Sequence, residues 1–331
     1  MIPDWQPGFS LPGIKVGHAQ DFEALTGCTA IICEEGAMSG VDQRGGAPGT
    51  RETDALRPMH LVEHCHAVVL AGGSAFGLDA STGVVRYLEE RNFGFDTGVS
   101  RVPVVASAVL FDLAIGDPKI RPDAKMGYQA CINAEEVMHG EGNIGAGTGA
   151  TVGKILGVKS ATKTGLGAAT IQISDDITIS AIIALNAFGD IIDPNSGKII
   201  AGARFQGKQG ENKLVQGFAD TLSVMRSQNL PGVQSFRHNA NTVIGLVATN
   251  AILTKMSASK VAQMAHNGIA RTVRPAHTMF DGDTIFTMAT NEHPADINII
   301  GAFAAEVVSR AILRAVECAN TLGGIPSAAE L

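Results

Sequence analysis

The sequence predicts an α+β protein with four layers, an αββα sandwich in which two β-sheets lie between layers of helices. Glycine-punctuated strand segments fill the first half of the chain, an apolar β-branched strand begins near residue 242, and helical patterns stand before and after these strands. At 331 residues, with 45% apolar and 17% charged residues, the chain can bury a large core. This length allows one large domain or two small ones.

The first half alternates between strands and glycine-rich connections. Three apolar segments bounded by turn residues predict strands, at residues 13–18, 28–33 and 66–70. A glycine- and proline-rich loop is expected at 41–53. The turn at 71–78 leads into a predicted helix from Asp79 to about Glu90. Its glycines do not match GxGxxG and no GxxxxGK[ST] occurs, so we interpret the turn as close packing of a helix on a sheet.

The middle of the chain holds its densest run of glycine. A helix is predicted at 127–134, and the run of small residues follows at 142–154. Small residues there would let backbone amides face a reacting group. Lys154 ends the run, and a solvated lysine at a strand end is the simpler interpretation of that residue taken alone.

Two strands and a long connection precede residue 242. Strands are predicted at 169–173 and 177–186, with a turn at Asp175–Asp176 between them and the amide of Asn186 at the end of the second. Residues 199–209 are polar and glycine-rich. Residues 210–240 have no clear pattern and suggest a mobile surface connection, whose end could move away if the chain were cut after it.

The last quarter of the chain predicts a strand, a helix, a turn, a strand and a helix. After the strand that begins at Thr242, we expect a helix with Ser257 as N-cap that runs to about Arg271. Residues 281–289 form a turn that leads into a strand. A final helix is expected at 297–320, before Gly323 and Gly324.

The Asn241–Thr242 junction is a candidate self-cleavage site. If the Thr242 hydroxyl attacked the Asn241 carbonyl and the resulting ester were hydrolysed, Thr242 would become a new N-terminus. Its free α-amine, with an ordinary pKa near 8, would then serve as base for the hydroxyl of the same residue. A threonine that simply begins a core strand is the alternative.

Charge and cysteine content exclude several classes of function. The net charge of −7, without a basic block, disfavours binding to nucleic acid or to an anionic membrane, and no segment predicts a secretion signal or a membrane span. The five cysteines form no CxxC pair and predict reduced thiols in a cytoplasmic protein. The His64-Cys65-His66 run has no second ligand cluster, so no metal is expected.

Five segments, taken in order, carry a resemblance to a known family. They are Thr50–Asp54, Gly72–Leu78, Gly145–Lys154, Asn241–Gly245 and Asp281–Thr284. Together they make the chain resemble the P1 family of self-processing peptidases, peptidase family S58, which includes L-aminopeptidase/D-esterases, β-peptidyl aminopeptidases and endo-type 6-aminohexanoate (nylon) oligomer hydrolases. The resemblance runs from about residue 13 to 319, and the Asn-Thr junction is most similar to the nylon-oligomer hydrolases and a pantetheine-cleaving relative.

The resemblance implies a fold, a cleavage and an assembly. The fold would be a single αββα domain over residues 1–331, similar to that of N-terminal-nucleophile hydrolases but with a different chain topology. Cleavage would give fragments 1–241 and 242–331. The cleaved protomers would form homo-oligomers, often tetramers, without a metal or an organic cofactor.

The resemblance also implies roles for individual residues. Thr242 matches the nucleophile, Lys154 the lysine that holds its hydroxyl, and Asn186 the amide donor to the oxyanion. Asp281 and Asp283 match an acidic pair that orients the lysine and the new amine. The substrate and oxyanion region would include Gly147, Thr148, Gly149 and Phe111. The nylon-oligomer enzymes have a tyrosine at the position of Phe111, so its hydroxyl is missing here.

The leading hypothesis is a self-processing amidohydrolase or aminopeptidase that cleaves amide and ester bonds of small peptides or amino-acid oligomers through an acyl-enzyme on Thr242. Two alternatives within the same chemistry are acyl transfer of the ornithine acetyltransferase type and hydrolysis of a pantetheine-type amide. A third, a small-molecule or nucleotide-binding protein built on the glycine loops, lacks the required fingerprint.

Overall fold

β-Strands rich in small and β-branched residues form the interior of the molecule, in a computed structural model that describes residues 5–205, 217–227 and 241–331. The strands of this part of the chain are β1 (Trp5–Pro7), β2 (Lys15–Asp21), β3 (Thr26–Gln43), β4 (Thr50–Arg51), β5 (His64–Ala71), β6 (Phe95–Asp96), β7 (Arg101–Val102), β8 (Val105–Val109), β9 (Thr151–Val152), β10 (Thr162–Lys163), β11 (Leu166–Gln172), β12 (Thr178–Asn186), β13 (Asp190–Ile192), β14 (Ile199–Ala201), β15 (Ala203–Arg204), β16 (Phe218–Ala219), β17 (Thr242–Ala251), β18 (Val273–Arg274) and β19 (Thr284–His293). The α-helices are α1 (Ala80–Glu89), α2 (Ala124–Ile132), α3 (Thr221–Arg226), α4 (Lys255–Thr272) and α5 (Ile297–Glu317).

One long strand joins the two predicted sheets into a single ten-stranded sheet. The order is β1-β11-β12-β17-β19-β3-β5-β8-β4, with β2 beside β3. The pairing of β3 with β5 shifts register between Ile32 and Ala37. The first part of β3 pairs with β2 and β5, and the last part of β3 pairs with β19. Because the two halves of the sheet share a core, the sheet folds back on itself at β3 and supplies both β layers.

Three buried cores separate the four layers. The central core packs side chains of β3, β5 and β8 against side chains of β11, β12, β17 and β19. Helices α4 and α5 cover the outer face of one half of the sheet, and α1 and α2 cover the outer face of the other. These contacts confirm the predicted αββα sandwich. They also place Thr242, at the start of β17, in a central strand of the sheet.

Helix α4 illustrates how the outer layer is specified. Its N-cap is Thr254, in a capping box with Ser257, so the predicted N-cap at Ser257 was wrong. Ser257 occupies the third helical position, where its hydroxyl accepts from the Thr254 N–H at 2.7 Å. Gly268 lets α4 approach α5 closely, since a Cβ there would lie 2.3 Å from the Ala305 carbonyl oxygen.

The other predicted elements exist with shifted ends. Strand β3 continues to Gln43, where a loop was expected, because it must bridge both halves of the sheet. Helix α2 begins earlier than predicted, at Ala124, because the Asp123 carboxylate accepts from the Met126 N–H. Within the unpatterned stretch 210–240, residues 217–227 contain β16 and α3, and the remaining residues lie outside the described part. No helix in the described ranges has the length and apolar character needed to span a membrane.

Candidate active site

The Asn241–Thr242 junction lies buried between two strands. Thr242 pairs with Asn186 at the end of antiparallel β12, while Asn241 forms a bridge with Asp281 on the side of β19. Thr242 is 3% exposed and Asn241 is fully buried. Because N–H and C=O directions alternate along a strand, the Thr242 N–H points towards Asn186, and the Asn241 carbonyl points towards the turn at 281–283.

The peptide carbonyl of Asn241 is held by two donors. Its oxygen accepts from the Gly282 N–H at 2.8 Å and from the Thr242 hydroxyl. Only glycine fits at position 282, since a Cβ there would lie 3.0 Å from Thr242 Oγ1 and 2.6 Å from the Ala47 carbonyl oxygen. The carbonyl therefore carries a backbone donor where an oxyanion would form, and a hydroxyl stands next to it.

Lys154 is buried beside Asn186, on the side of Thr242 that faces away from the turn at 281–283. Its Nζ donates to the backbone oxygen of Asn186 at 2.9 Å and to the Asn186 side-chain oxygen at 2.7 Å. Burial lowers the pKa of Lys154 to about 7, although the charges of Asp281 and Asp112 oppose this shift. A substantial neutral fraction at neutral pH gives the amine the ability to accept a proton.

The side-chain amide of Asn186 is held by hydrogen bonds to three residues, the first of which is Lys154. Its oxygen also accepts from the Thr151 N–H at 3.1 Å, and its nitrogen donates to the Phe111 carbonyl oxygen at 3.0 Å. The amide and the Thr242 side chain share the face of the sheet that looks onto the central core. The expected donor therefore lies beside Thr242, with one of its two N–H bonds directed at Phe111.

Asp281 and Asp283 are both buried, and each accepts hydrogen bonds from another segment of the chain. Asp281 accepts from the N–H and hydroxyl of Thr278, at 2.9 and 2.5 Å, and from the Phe188 N–H at 3.3 Å. Asp283 accepts from the Val243 N–H at 2.7 Å. Burial raises the pKa of Asp281, and the nearby Asp283 charge raises it further. Within the described ranges neither carboxylate hydrogen-bonds Lys154, so Asp281 acts on the lysine through charge.

The glycine-rich segment reaches the site through Gly149. A small pocket of about 10 Å³ is bounded by Phe111, Asp112, Ala114, Ile115, Gly149, Thr151, Lys154 and Val158. The Gly149 N–H meets no hydrogen-bond acceptor in the described part of the chain, so it is available to a ligand. Gly147 and Thr148 lie behind this pocket. The Thr148 hydroxyl donates to the Gly145 carbonyl at 2.8 Å.

Two supports of the site were missed in the sequence. Lys163 is fully buried and donates to the carbonyl oxygens of Gly147, Ala150 and Thr164, at 3.4, 2.9 and 2.5 Å. His277 donates two bonds to Asp283. Lys163 stands between Thr162 and Thr164, and the sequence around it holds no signal of its burial. For His277 the sequence holds no signal beyond its proximity to the Asp281–Asp283 pair.

The same turn receives the loop that follows β3. Ala47 N–H donates to the Asp281 carbonyl at 2.9 Å, and Arg44 N–H donates to the Asp283 carbonyl at 2.9 Å. Gly45 permits this contact, because a Cβ there would lie 2.1 Å from the Asp281 carbonyl oxygen. The central part of the expected loop at 41–53 therefore forms one wall of the site.

Comparison with known proteins gives consistent results across the chain. The profile of Peptidase family S58 matches residues 10–329. An uncharacterized aminopeptidase of Mycobacterium leprae (strain TN) is 36% identical over 96% of this chain and 91% of its own length. A 6-aminohexanoate-oligomer endohydrolase of Kocuria sp. (strain KY2) is 31% identical over 93% of this chain and 85% of its own.

A solved structure supports the fold. The L-aminopeptidase D-Ala-esterase/amidase from Ochrobactrum anthropi, described as a variant of the Ntn hydrolase fold, superposes with a TM-score of 0.69. It is 19% identical and covers 96% of this chain and 87% of its own. At this identity the likeness concerns the fold alone, and it confirms that the fold is similar to that of N-terminal-nucleophile hydrolases.

Proposed function

The chain belongs to peptidase family S58 and is a hydrolase of peptide or other amide bonds, and from this premise we propose that it activates itself by cleavage before Thr242. The products would be fragments 1–241 and 242–331 of one αββα domain. Thr242 would then act as an N-terminal nucleophile. The supporting observation is the Asn241 carbonyl, which is held by the Gly282 N–H at 2.8 Å and contacted by the Thr242 hydroxyl.

Self-cleavage proceeds by an N-to-O acyl shift. As the Thr242 oxygen bonds to the Asn241 carbonyl carbon, the hydroxyl proton passes to neutral Lys154, and the Gly282 N–H stabilises the resulting oxyanion. The C–N bond then breaks and the Thr242 nitrogen takes up a proton. Lys154 is suited to exchange that proton, because it donates to the same Asn186 carbonyl towards which the Thr242 N–H points. Water finally hydrolyses the ester, which leaves a carboxylate on Asn241 and a free amine on Thr242.

Substrate hydrolysis reuses these groups. The Thr242 hydroxyl attacks the substrate carbonyl, and its proton passes to the free amine or to neutral Lys154. The Gly149 N–H and the second N–H of the Asn186 amide stabilise the oxyanion. The leaving amine departs protonated, and water releases the acyl group from Thr242. Asp281 and Asp283 keep the turn and the start of β17 in place throughout.

The class of substrate follows from the family. We propose small peptides or amino-acid oligomers, in agreement with the aminopeptidase and oligomer-hydrolase names of the relatives. We further propose a cytoplasmic homotetramer of cleaved protomers. All five cysteines are free thiols, which supports a reducing compartment.

Intact mass spectrometry under denaturing conditions tests the proposal. Wild-type protein should give two species that meet at Asn241/Thr242, and Thr242→Ala should give one uncut chain without hydrolase activity. Thr249→Ala is the matched control, since it removes a hydroxyl from the same strand outside the site and should leave cleavage intact. An uncut wild-type chain that hydrolyses amides, or a Thr242→Ala protein that is still cut, would show the proposal to be wrong.

A further inference from the structure

His277 lies beside the turn at 281–283 and makes two hydrogen bonds to one carboxylate oxygen of Asp283. Its backbone N and its ring Nδ1 lie 3.1 and 2.7 Å, respectively, from Asp283 Oδ2. The carboxylate accepts, so Nδ1 carries the proton. The residue has a φ of +55°, in the left-handed region that side chains other than glycine and asparagine rarely adopt. The two bonds to Asp283 oppose the cost of that conformation.

Asp283 connects this histidine to the nucleophile. While Oδ2 accepts from His277, Oδ1 accepts from the N–H of Val243, the residue that follows Thr242. Asp283 is 1% exposed, so its carboxylate has little access to water as a replacement donor. The orientation of the carboxylate, and with it the start of β17, therefore depends on the donors on Oδ2.

The ring of a second histidine packs against the His277 ring. His266 is 2% exposed and its ring meets the His277 ring edge-on, with centroids 5.0 Å apart. Its Nε2 lies 3.0 Å from the Asp42 carbonyl oxygen. The His277 ring is thus fixed between a buried carboxylate and a buried imidazole, whereas its own side chain is 22% exposed.

We propose that His277 is a positioning residue for the Thr242 reaction: its Nδ1–H holds Asp283 so that Oδ1 fixes the Val243 N–H and aligns Thr242 with the carbonyl it attacks. This role rests on the proposed function, since it requires Thr242 to be the nucleophile. His277 touches neither the nucleophile nor the carbonyl, and it acts through Asp283 on both self-cleavage and substrate hydrolysis.

Two substitutions separate the ring donor from the backbone conformation. His277→Asn retains an N–H donor near the position of Nδ1, and asparagine tolerates a positive φ. His277→Gly retains the conformation but removes the donor. We expect His277→Gly to slow self-cleavage and lower kcat for amide hydrolysis by about tenfold to a hundredfold, the usual effect of one lost hydrogen bond to a charged group. His277→Asn should restore both rates to within about threefold of wild type.

The measurements are the fraction of cut chain against time after cell-free synthesis, and kcat and KM of the processed protein. Asn92→Gly is the control for a glycine at a left-handed position, since Asn92 has a φ of +60° and is exposed. The inference is overturned if His277→Gly cuts at the wild-type rate, or if His277→Asn is as slow as His277→Gly. Failure of the proposed function itself is recognised separately, by Thr242→Ala protein that is still cut.

Discussion

The two flanks of Thr242 differ in how their charged groups are satisfied. On the flank of the 281–283 turn, Asp281 and Asp283 accept bonds from backbone and side-chain donors of neighbouring residues. On the flank of β12, the Lys154 Nζ donates to the two oxygens of Asn186, and the Lys154 side chain also lines the pocket. One flank is a closed hydrogen-bonded network, and the other presents an amine to a cavity.

This difference assigns distinct tasks to the flanks. A network in which each acceptor is occupied maintains geometry, because moving one member breaks several bonds at once. A buried amine with a pKa of about 7 changes its charge at low energetic cost near neutral pH. We therefore expect the acidic flank to control alignment and the lysine flank to control proton transfer.

The largest effect is expected on the lysine flank. Lys154→Met removes the proton acceptor while keeping a similar apolar stem, and should lower kcat for amide hydrolysis by about 10²- to 10⁴-fold, the usual contribution of acid–base catalysis. Because Lys154 must be neutral to accept a proton, kcat of the wild type should rise with pH through about 7 and level off above it. Stopped-time assays from pH 5.5 to 9 give both quantities.

Lys159→Met is the control for that substitution, because Lys159 is an exposed lysine five residues further along the chain. It should retain the wild-type rate and pH profile. A Lys154→Met protein with normal kcat, or a wild-type profile that is flat between pH 6 and 8, would contradict the assignment of proton transfer to this flank.

A smaller effect is expected on the alignment flank. Gly282→Ala places a Cβ 2.6 Å from the Ala47 carbonyl oxygen and 3.0 Å from Thr242 Oγ1, so the turn must move and its N–H must leave the Asn241 carbonyl. Loss of one oxyanion donor usually costs about 10²-fold or more, and we expect self-cleavage to slow by about that factor. The fraction cut against time measures it.

Gly98→Ala is the control, since a Cβ at Gly98 meets nothing within 4 Å and the strain of alanine at its φ of +79° falls on an exposed turn. It should be cut at the wild-type rate. If Gly282→Ala is cut equally fast, the backbone donor has no part in the reaction and the alignment role of the turn must be assigned elsewhere.

Much of the fold was predictable because its signals are local. The apolar run after Thr242 corresponds to β17, which is buried along its whole length, and the helical pattern at 297–320 corresponds to α5, whose buried residues repeat at helix spacing. The length of β3 was not predictable, since its second half is a strand only through its pairing with β19. The N-cap of α4 was misassigned because Thr254 and Ser257 are both good caps three residues apart.

The residues of the candidate site were predictable to the extent that motifs carried them. The family resemblance predicts roles for Thr242, Lys154, Asn186, Asp281 and Asp283, and the structure places these five residues around one peptide bond. Gly282 and His277 depend on contacts between distant segments, which no spacing rule reveals. The bridge between Asn241 and Asp281 places the Gly282 N–H at the Asn241 carbonyl. His277 reaches Asp283 from a turn in which its backbone has a left-handed conformation.

The smallest expected effect compares the two buried lysines. Burial lowers the pKa of both Lys154 and Lys163 to about 7, far below the value of about 10.4 in an unfolded chain. Between these values the unfolded state binds more protons, so the free energy of unfolding rises with pH. Each lysine should contribute about 1 kcal/mol to the rise between pH 7.5 and 8.5, because the limit is about 1.4 kcal/mol per pH unit for one group.

Lys163→Met, made in the uncut Thr242→Ala chain, should therefore reduce that rise by about 1 kcal/mol in urea titrations, and Lys154→Met should do the same. The buried thiols act in the opposite sense at higher pH, because burial raises their pKa, but this contribution cancels between variants. Since the Lys163 charge also depresses the pKa of Lys154, the double variant should lose less than the sum. Equal slopes in all variants would mean that neither lysine is neutralised by burial, and the proton-transfer role of Lys154 would lose its physical basis.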